Sequence, residues 1–239
     1  MLTDPSPFEL HAGPIRATIA RLGQRIEERF PASGLGRVAR GLAVVGEQTE
    51  RVVEQLGQPI WAIRALVALA ITGILAVVVW AVAHSLSTAG GWRADLSDLV
   101  QAIDAALNEL IALSLTLYFF ASLETRFKRR TALRMLHRLR SIAHAVDMHQ
   151  LTKDPDYVIH DMAPTLSSRE RTLSRGELVR YLDYCSELLA LVSKLAALHG
   201  QPMPDAVVLD AVNDIESLTA GLSRKIWQKI TIIDMGAGR

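Results

Sequence analysis

The residues of this chain best suited to chemistry are His137, His144, Asp147, His149, His160 and Asp161. Imidazole nitrogens and carboxylate oxygens together suit zinc, iron or manganese. On a helix, His144 and Asp147 share a face at a spacing of three, and His137 lies two turns earlier on a similar one. The further ligands that a metal needs can be nominated only by choosing among many. The sequence favours the plainer alternative, in which these are solvated groups of a helix face and a loop. A metal site at His144, Asp147, His160 and Asp161 is the sharper alternative, and no cofactor is expected. A second constellation, Asp104, Asn108 and Glu109, falls inside a long apolar stretch. Asp104 and Asn108 share a helix face, and Glu109 lies about 100° further round. A carboxylate at the centre of a span costs about 2.5–3.5 kcal/mol on insertion scales, so such residues often mark an ion or proton pathway. They cost less near the interface, and an early exit of the helix, with the acids hydrated or paired, is the favoured reading.

The adjacent pair His160–Asp161 is similar to the central dyad of HD-type phosphohydrolases. In that family the dyad sits on a helix, whereas here Met162, Ala163 and Pro164 follow it in an expected connection. The segment 165–175, TLSSRERTLSR, groups five hydroxyls with three arginines. It fits a phosphorylation or anion site, and fits a solvated loop with a helix cap better. There is no glycine-rich phosphate loop, no GxSxG elbow and no HExxH. The single cysteine, Cys185, excludes an internal disulfide and a multi-thiolate zinc site. It falls on an apolar helical stripe, where an inert thiol is expected. No catalytic residue is assigned.

The elements that position these groups are set by hydropathy. From Ala65 to Ala83 nineteen residues pass without a charge, about the length needed to cross a bilayer core of roughly 30 Å. A second stretch, 99–123, is charge-free from Leu110 to Leu123. The connection between them, about 84–98, is short enough for a helical hairpin, with spans at about 62–84 and 101–123. Basic residues flanking spans collect on the cytoplasmic side. The connection holds Arg93 alone, beside Asp95 and Asp98. Arg51 and Arg64 precede the first span, and Arg126, Lys128, Arg129, Arg130, Arg134, Arg138 and Arg140 follow the second. Both termini are therefore expected in the cytoplasm of a multi-pass cell-membrane protein. Trp61, Arg64, Trp80, Trp92, Arg126, Lys128, Arg129 and Arg130 are the expected interface anchors. Ala68, Thr72 and Ala76 form a small-residue stripe suited to close helix packing. The acidic N-terminus, with Asp4 and Glu9, does not read as a cleavable signal peptide.

Outside the hairpin the pattern is helical throughout. Ile15, Ile19, Leu22, Ile26 and Phe30 make one apolar stripe before Pro31, and a second helix covers about 35–56. This amphipathic region is expected either to lie on anionic lipid through its arginines or, with Glu27, Glu28, Glu47, Glu50 and Glu54 diluting them, to pack on the cytoplasmic part; the second is favoured. Leu136, Leu139, Ala143 and Val146 carry the second membrane helix on to about Gln150, and Leu123 and Phe127 are assigned to the same stripe. Ser174 and Glu177 form a capping box. Leu178, Leu182, Cys185, Leu189, Val192 and Ala196 mark a further helix, and Val208, Val212, Ile215, Thr219, Leu222, Ile226, Lys229 and Ile233 the last. Spacings of three and four suggest coiled-coil-like packing. The expected fold is all-α: an amphipathic N-terminal region (1–59), a transmembrane hairpin (60–123) and a cytoplasmic antiparallel helical bundle (124–239). Charge makes up 21% of the chain, too much for a many-span transporter, and a net charge of +1 gives no reason to expect nucleic acid. The implied function is a membrane-anchored module that self-associates or binds another protein. A small ion- or proton-conducting subunit and a membrane-tethered metal-dependent hydrolase are the alternatives.

Overall fold

The computed structural model describes residues 10–88, 96–153 and 173–236. Their regular structure is entirely helical: α1 (Ala12–Arg29), α2 (Gly34–Gly57), α3 (Trp61–Thr88), α4 (Leu96–Leu151), α5 (Arg175–Gly200) and α6 (Ala206–Met235).

Local chemistry sets these boundaries. Pro14 sits in the first turn of α1, where a missing N–H costs nothing. After the Phe30 N–H closes on the Ile26 carbonyl at 2.8 Å, Pro31 stops the helix. The chain then turns through Ala32, whose φ of 56° is left-handed. Ser33 opens α2 by accepting the Gly36 N–H at 3.1 Å. The capping box is present: Glu177 accepts the Ser174 N–H at 2.8 Å, and the Ser174 side chain accepts the Glu177 N–H. Asp205 caps α6 by accepting the Val208 N–H at 3.3 Å.

The described residues divide into two compact units. One comprises the chain up to Gly57 together with that from Thr131 onward, and the other is Gln58–Arg130. The continuous helix α4 contributes to both.

In the first unit α5 is the central helix, packed against α1, α2 and α6. The single stripe expected from its sequence is buried, and so are Tyr181, Tyr184, Leu188, Leu191, Leu195, Leu198 and His199. A seam of two residues in seven would serve a coiled-coil pair, but a helix with neighbours on several sides needs a wider apolar surface, which LLALVSKLAALH provides. Ile15, Ile19, Leu22 and Ile26 of α1 turn inward, as do Leu136, Leu139, Ala143 and Val146 of α4. Phe30 packs edge-on against Tyr181, with ring centroids 5.3 Å apart. On α6 the expected stripe is buried except at Lys229, whose place in the core goes to Ile230. Lys229 instead donates from Nζ to the carbonyls of Gln150 (2.9 Å) and Lys153 (3.2 Å), a cation on the negative end of α4. Arg175 does the same for α6 at the carbonyls of Ile233 and Asp234. Ion pairs Arg16–Glu50, Arg25–Glu187 and Arg140–Asp214 tie helices together at the rim. Exposed pairs of this kind each contribute about 0–1 kcal/mol, so apolar burial carries the unit.

The second unit reverses this pattern. Leu66, Leu69, Leu75, Val77 and Val79 on α3 are exposed, as are Leu110, Ile111, Leu115, Tyr118 and Phe119 on α4. Phe127, assigned to the inward stripe of α4, is exposed too. Its place in the pattern fails because inward packing on α4 begins only at Ala132 and Met135. One helical stretch among the described residues, ending at Val77, is long and apolar enough to cross a membrane. Its best window has mean hydropathy 2.2, and none of that window is buried.

Candidate functional site

Among the described residues of the second unit, the densest set of charged contacts centres on Glu124. Its carboxylate accepts from Lys128 Nζ at 3.0 Å, from Arg64 Nε at 3.2 Å and from the Ile60 N–H at 3.3 Å. Ile60 immediately precedes α3, so the carboxylate lies where the helix dipole is positive. Burial works against the charge, but the Lys128, Arg64 and Ile60 donors outweigh it and hold the pKa below its ordinary 4.5. The sequence reading singled out Arg64 and Lys128 but passed over Glu124. Its signal was available: it is the one acidic residue across 110–130, four before a lysine.

Beside this node lies an apolar cavity of about 220 Å³, lined by Ile63, Val67, Ala68, Ile71 and Phe120, with Arg64 and Glu124 at its polar edge. Of the other expected anchors, Trp61 is 73% exposed and Trp80 is also exposed. Arg126 is exposed and stacks over the Phe119 ring at 5.8 Å. Arg130 is exposed as well, whereas Arg129 is only partly accessible. Trp92 lies outside the described residues. Asp104 and Asn108 are exposed on α4; Glu109 belongs to the same helix, but its side chain is outside the described ones. Hydroxyls in the apolar stretches bond their own helices: Thr72 to the Ala68 carbonyl, Ser114 to Leu110 and Ser122 to Phe119, at 2.7–2.8 Å.

The histidine–aspartate set is not drawn together where it can be followed. His137 and His144 are exposed. Asp147 accepts from Gln150 Nε2 at 2.6 Å. Among the described residues no three His, Cys, Asp or Glu side chains converge as metal ligands. His160, Asp161 and most of the 165–175 segment lie outside those residues. Cys185 is fully buried, and burial pushes its thiol up to about 12 against the weaker pull of Lys229 and Lys153. A thiol so protonated is neither nucleophile nor metal ligand at neutral pH. The one fully buried histidine among the described residues, His199, went unremarked in the sequence.

Compared with protein families, curated proteins and solved structures, the chain matches none.

Proposed function

We propose that this is a two-pass membrane protein, crossing the cell membrane at about 62–84 and 101–123 with both termini in the cytoplasm. In this reading the hairpin anchors a helical bundle that self-associates or binds another protein, and the chain has no catalytic role. The observation that carries it is the contrast between the units. The bundle buries its apolar stripes, while α3 and α4 leave leucine, valine and aromatic side chains exposed over many turns. In water a patch of that extent on a monomer is uncommon; in hydrocarbon it is the ordinary lipid-facing surface. The self-bonded hydroxyls of Thr72, Ser114 and Ser122 agree, since a bilayer offers no water to satisfy them.

Alkaline extraction of native membranes, followed by cross-linking in cells, tests both halves. The protein should stay in the pellet until detergent is added, and cross-linking should trap a second copy or another protein. Release into the alkaline supernatant would end the membrane reading; a strictly monomeric, uncross-linked chain would end the association reading.

A second reading, an ion- or proton-conducting subunit, draws on the exposure of Asp104 and Asn108 on an otherwise apolar stretch of α4. Asp104→Asn with Glu109→Gln should abolish flux through reconstituted vesicles if conduction is the activity. Flux unchanged by that pair of substitutions excludes it.

A further inference from the structure

We propose that the cavity beside Glu124 is a binding site for one anionic phospholipid, its acyl chain along Ile63, Val67, Ala68, Ile71 and Phe120 and its phosphate on Arg64. The inference rests on the membrane reading above and adds a ligand to it. The lining is apolar, and polar groups are confined to one edge, as an amphiphile requires.

Charge selects the headgroup. Over 58–71 and 110–130 Glu124 is the one acidic residue, against Arg64, Arg126, Lys128, Arg129 and Arg130. Glu124 is already neutralised, since its oxygens hold Lys128, Arg64 and the Ile60 N–H. Arg64 spends only Nε on that bond, and its side chain is 56% exposed, so its two terminal amino groups are free to take a phosphate in the paired geometry that a guanidinium favours. The cavity places that phosphate at the end of α3 where an expected interface residue, Trp61, stands exposed three positions away. A zwitterionic lipid offers the same phosphate but brings its own cation into a cationic surround, and is disfavoured.

Trp61 supplies the probe. The chain carrying Trp80→Phe, Trp92→Phe and Trp227→Phe retains Trp61 as its one tryptophan and is reconstituted into phosphatidylcholine bilayers. Brominated phosphatidylglycerol or brominated phosphatidylcholine is then titrated in at equal mole fraction. The glycerol lipid should quench Trp61 with about a fivefold preference, roughly what one arginine contributes at an anionic surface. Arg64→Gln should abolish the preference while leaving general quenching in place. Ala68→Phe, which fills the cavity and keeps every charge, should reduce it as well. Equal quenching by both lipids overturns the lipid site and leaves the membrane reading standing. Preference retained in both variants overturns the site too and assigns selectivity to the wider basic surface. No quenching by either lipid removes Trp61 from the bilayer and overturns the two readings together.

Discussion

His199 shows how a single buried side chain makes the fold sensitive to pH. Its Nδ1 lies 3.0 Å from the Leu195 carbonyl, which fixes the proton on Nδ1 and leaves Nε2 as a lone pair. Nε2 is buried with no hydrogen-bond partner. Protonation would place a second N–H and a charge where no acceptor waits. Burial accordingly lowers the pKa below 6.5, with the backbone bonds at Leu195 and Ala196 opposing it only in part. In the unfolded chain the imidazole takes a proton near 6.5; in the fold it takes one only at lower pH. Stability is therefore fully present above 6.5, falls as pH drops through that value, and levels off below the folded pKa. Urea midpoints of the detergent-solubilised protein should fall between about pH 7.5 and about pH 5.5, and His199→Leu should flatten that dependence. A midpoint equally pH-dependent in the variant would assign the slope elsewhere. Cys185 supports a second expectation at this scale. A thiol raised to about 12 and wholly enclosed should resist maleimide in the folded chain and react fully once denatured. Prompt labelling of the native protein would show that α5 is not a core helix.

Elements were more legible in the sequence than the contacts between them. The stripes on α1 and α6, the Ser174–Glu177 box and the continuation of α4 past its apolar half all follow from spacing and capping, which are local rules. The α1–α2 turn illustrates what spacing does not reveal. Ala32 holds a left-handed φ of 56°, a conformation that costs an L-residue about 1–2 kcal/mol, and the Glu27 carboxylate accepts its N–H at 3.0 Å. Ala32→Gly should relieve that strain and, less the added freedom of the unfolded chain, raise stability by up to about 1 kcal/mol, read as a higher melting midpoint. Two residues on, a Cβ added at Gly34 would fall on the His149 ring, which would have to turn away to admit it. Gly34→Ala should lower the midpoint by the equivalent of about 1–3 kcal/mol. That constraint joins residues 115 positions apart in sequence, so no local pattern contains it. The same reason hid the breadth of the α5 core and the pairing of Glu124 with Ile60 and Arg64, 64 and 60 positions earlier; only its Lys128 partner, four residues on, follows a local rule. Ser174→Ala, by contrast, removes a cap that the sequence did announce and should cost about 1 kcal/mol.

At the scale of the whole molecule, the proposed two-span layout predicts which side of a membrane each end occupies, and two independent properties of the chain make that prediction testable. The first is charge asymmetry: basic residues crowd the stretch after the second apolar segment and leave the 89–95 connection with Arg93 alone. Short flanks with such a bias orient a hairpin with its connection outside. The second is the silence of the native thiol. Because Cys185 is the only cysteine and is sealed in the core, new cysteines can be read without removing it. Thr3→Cys and Gly236→Cys place reporters near the two ends, and Ala89→Cys places one in the connection. In intact cells a membrane-impermeant maleimide should label Ala89→Cys and neither terminal variant; after permeabilisation all three should react. Labelling of one terminus alone in intact cells would mean an odd number of crossings. In that event α4 would be no second span, and Asp104 and Asn108 would stand in water, where their exposure needs no pathway to explain it. Labelling of both termini with the connection protected would keep the hairpin and invert it, at odds with the flanking arginines. Only protection of both ends with exposure of the connection satisfies the charge distribution and the two-span layout at once.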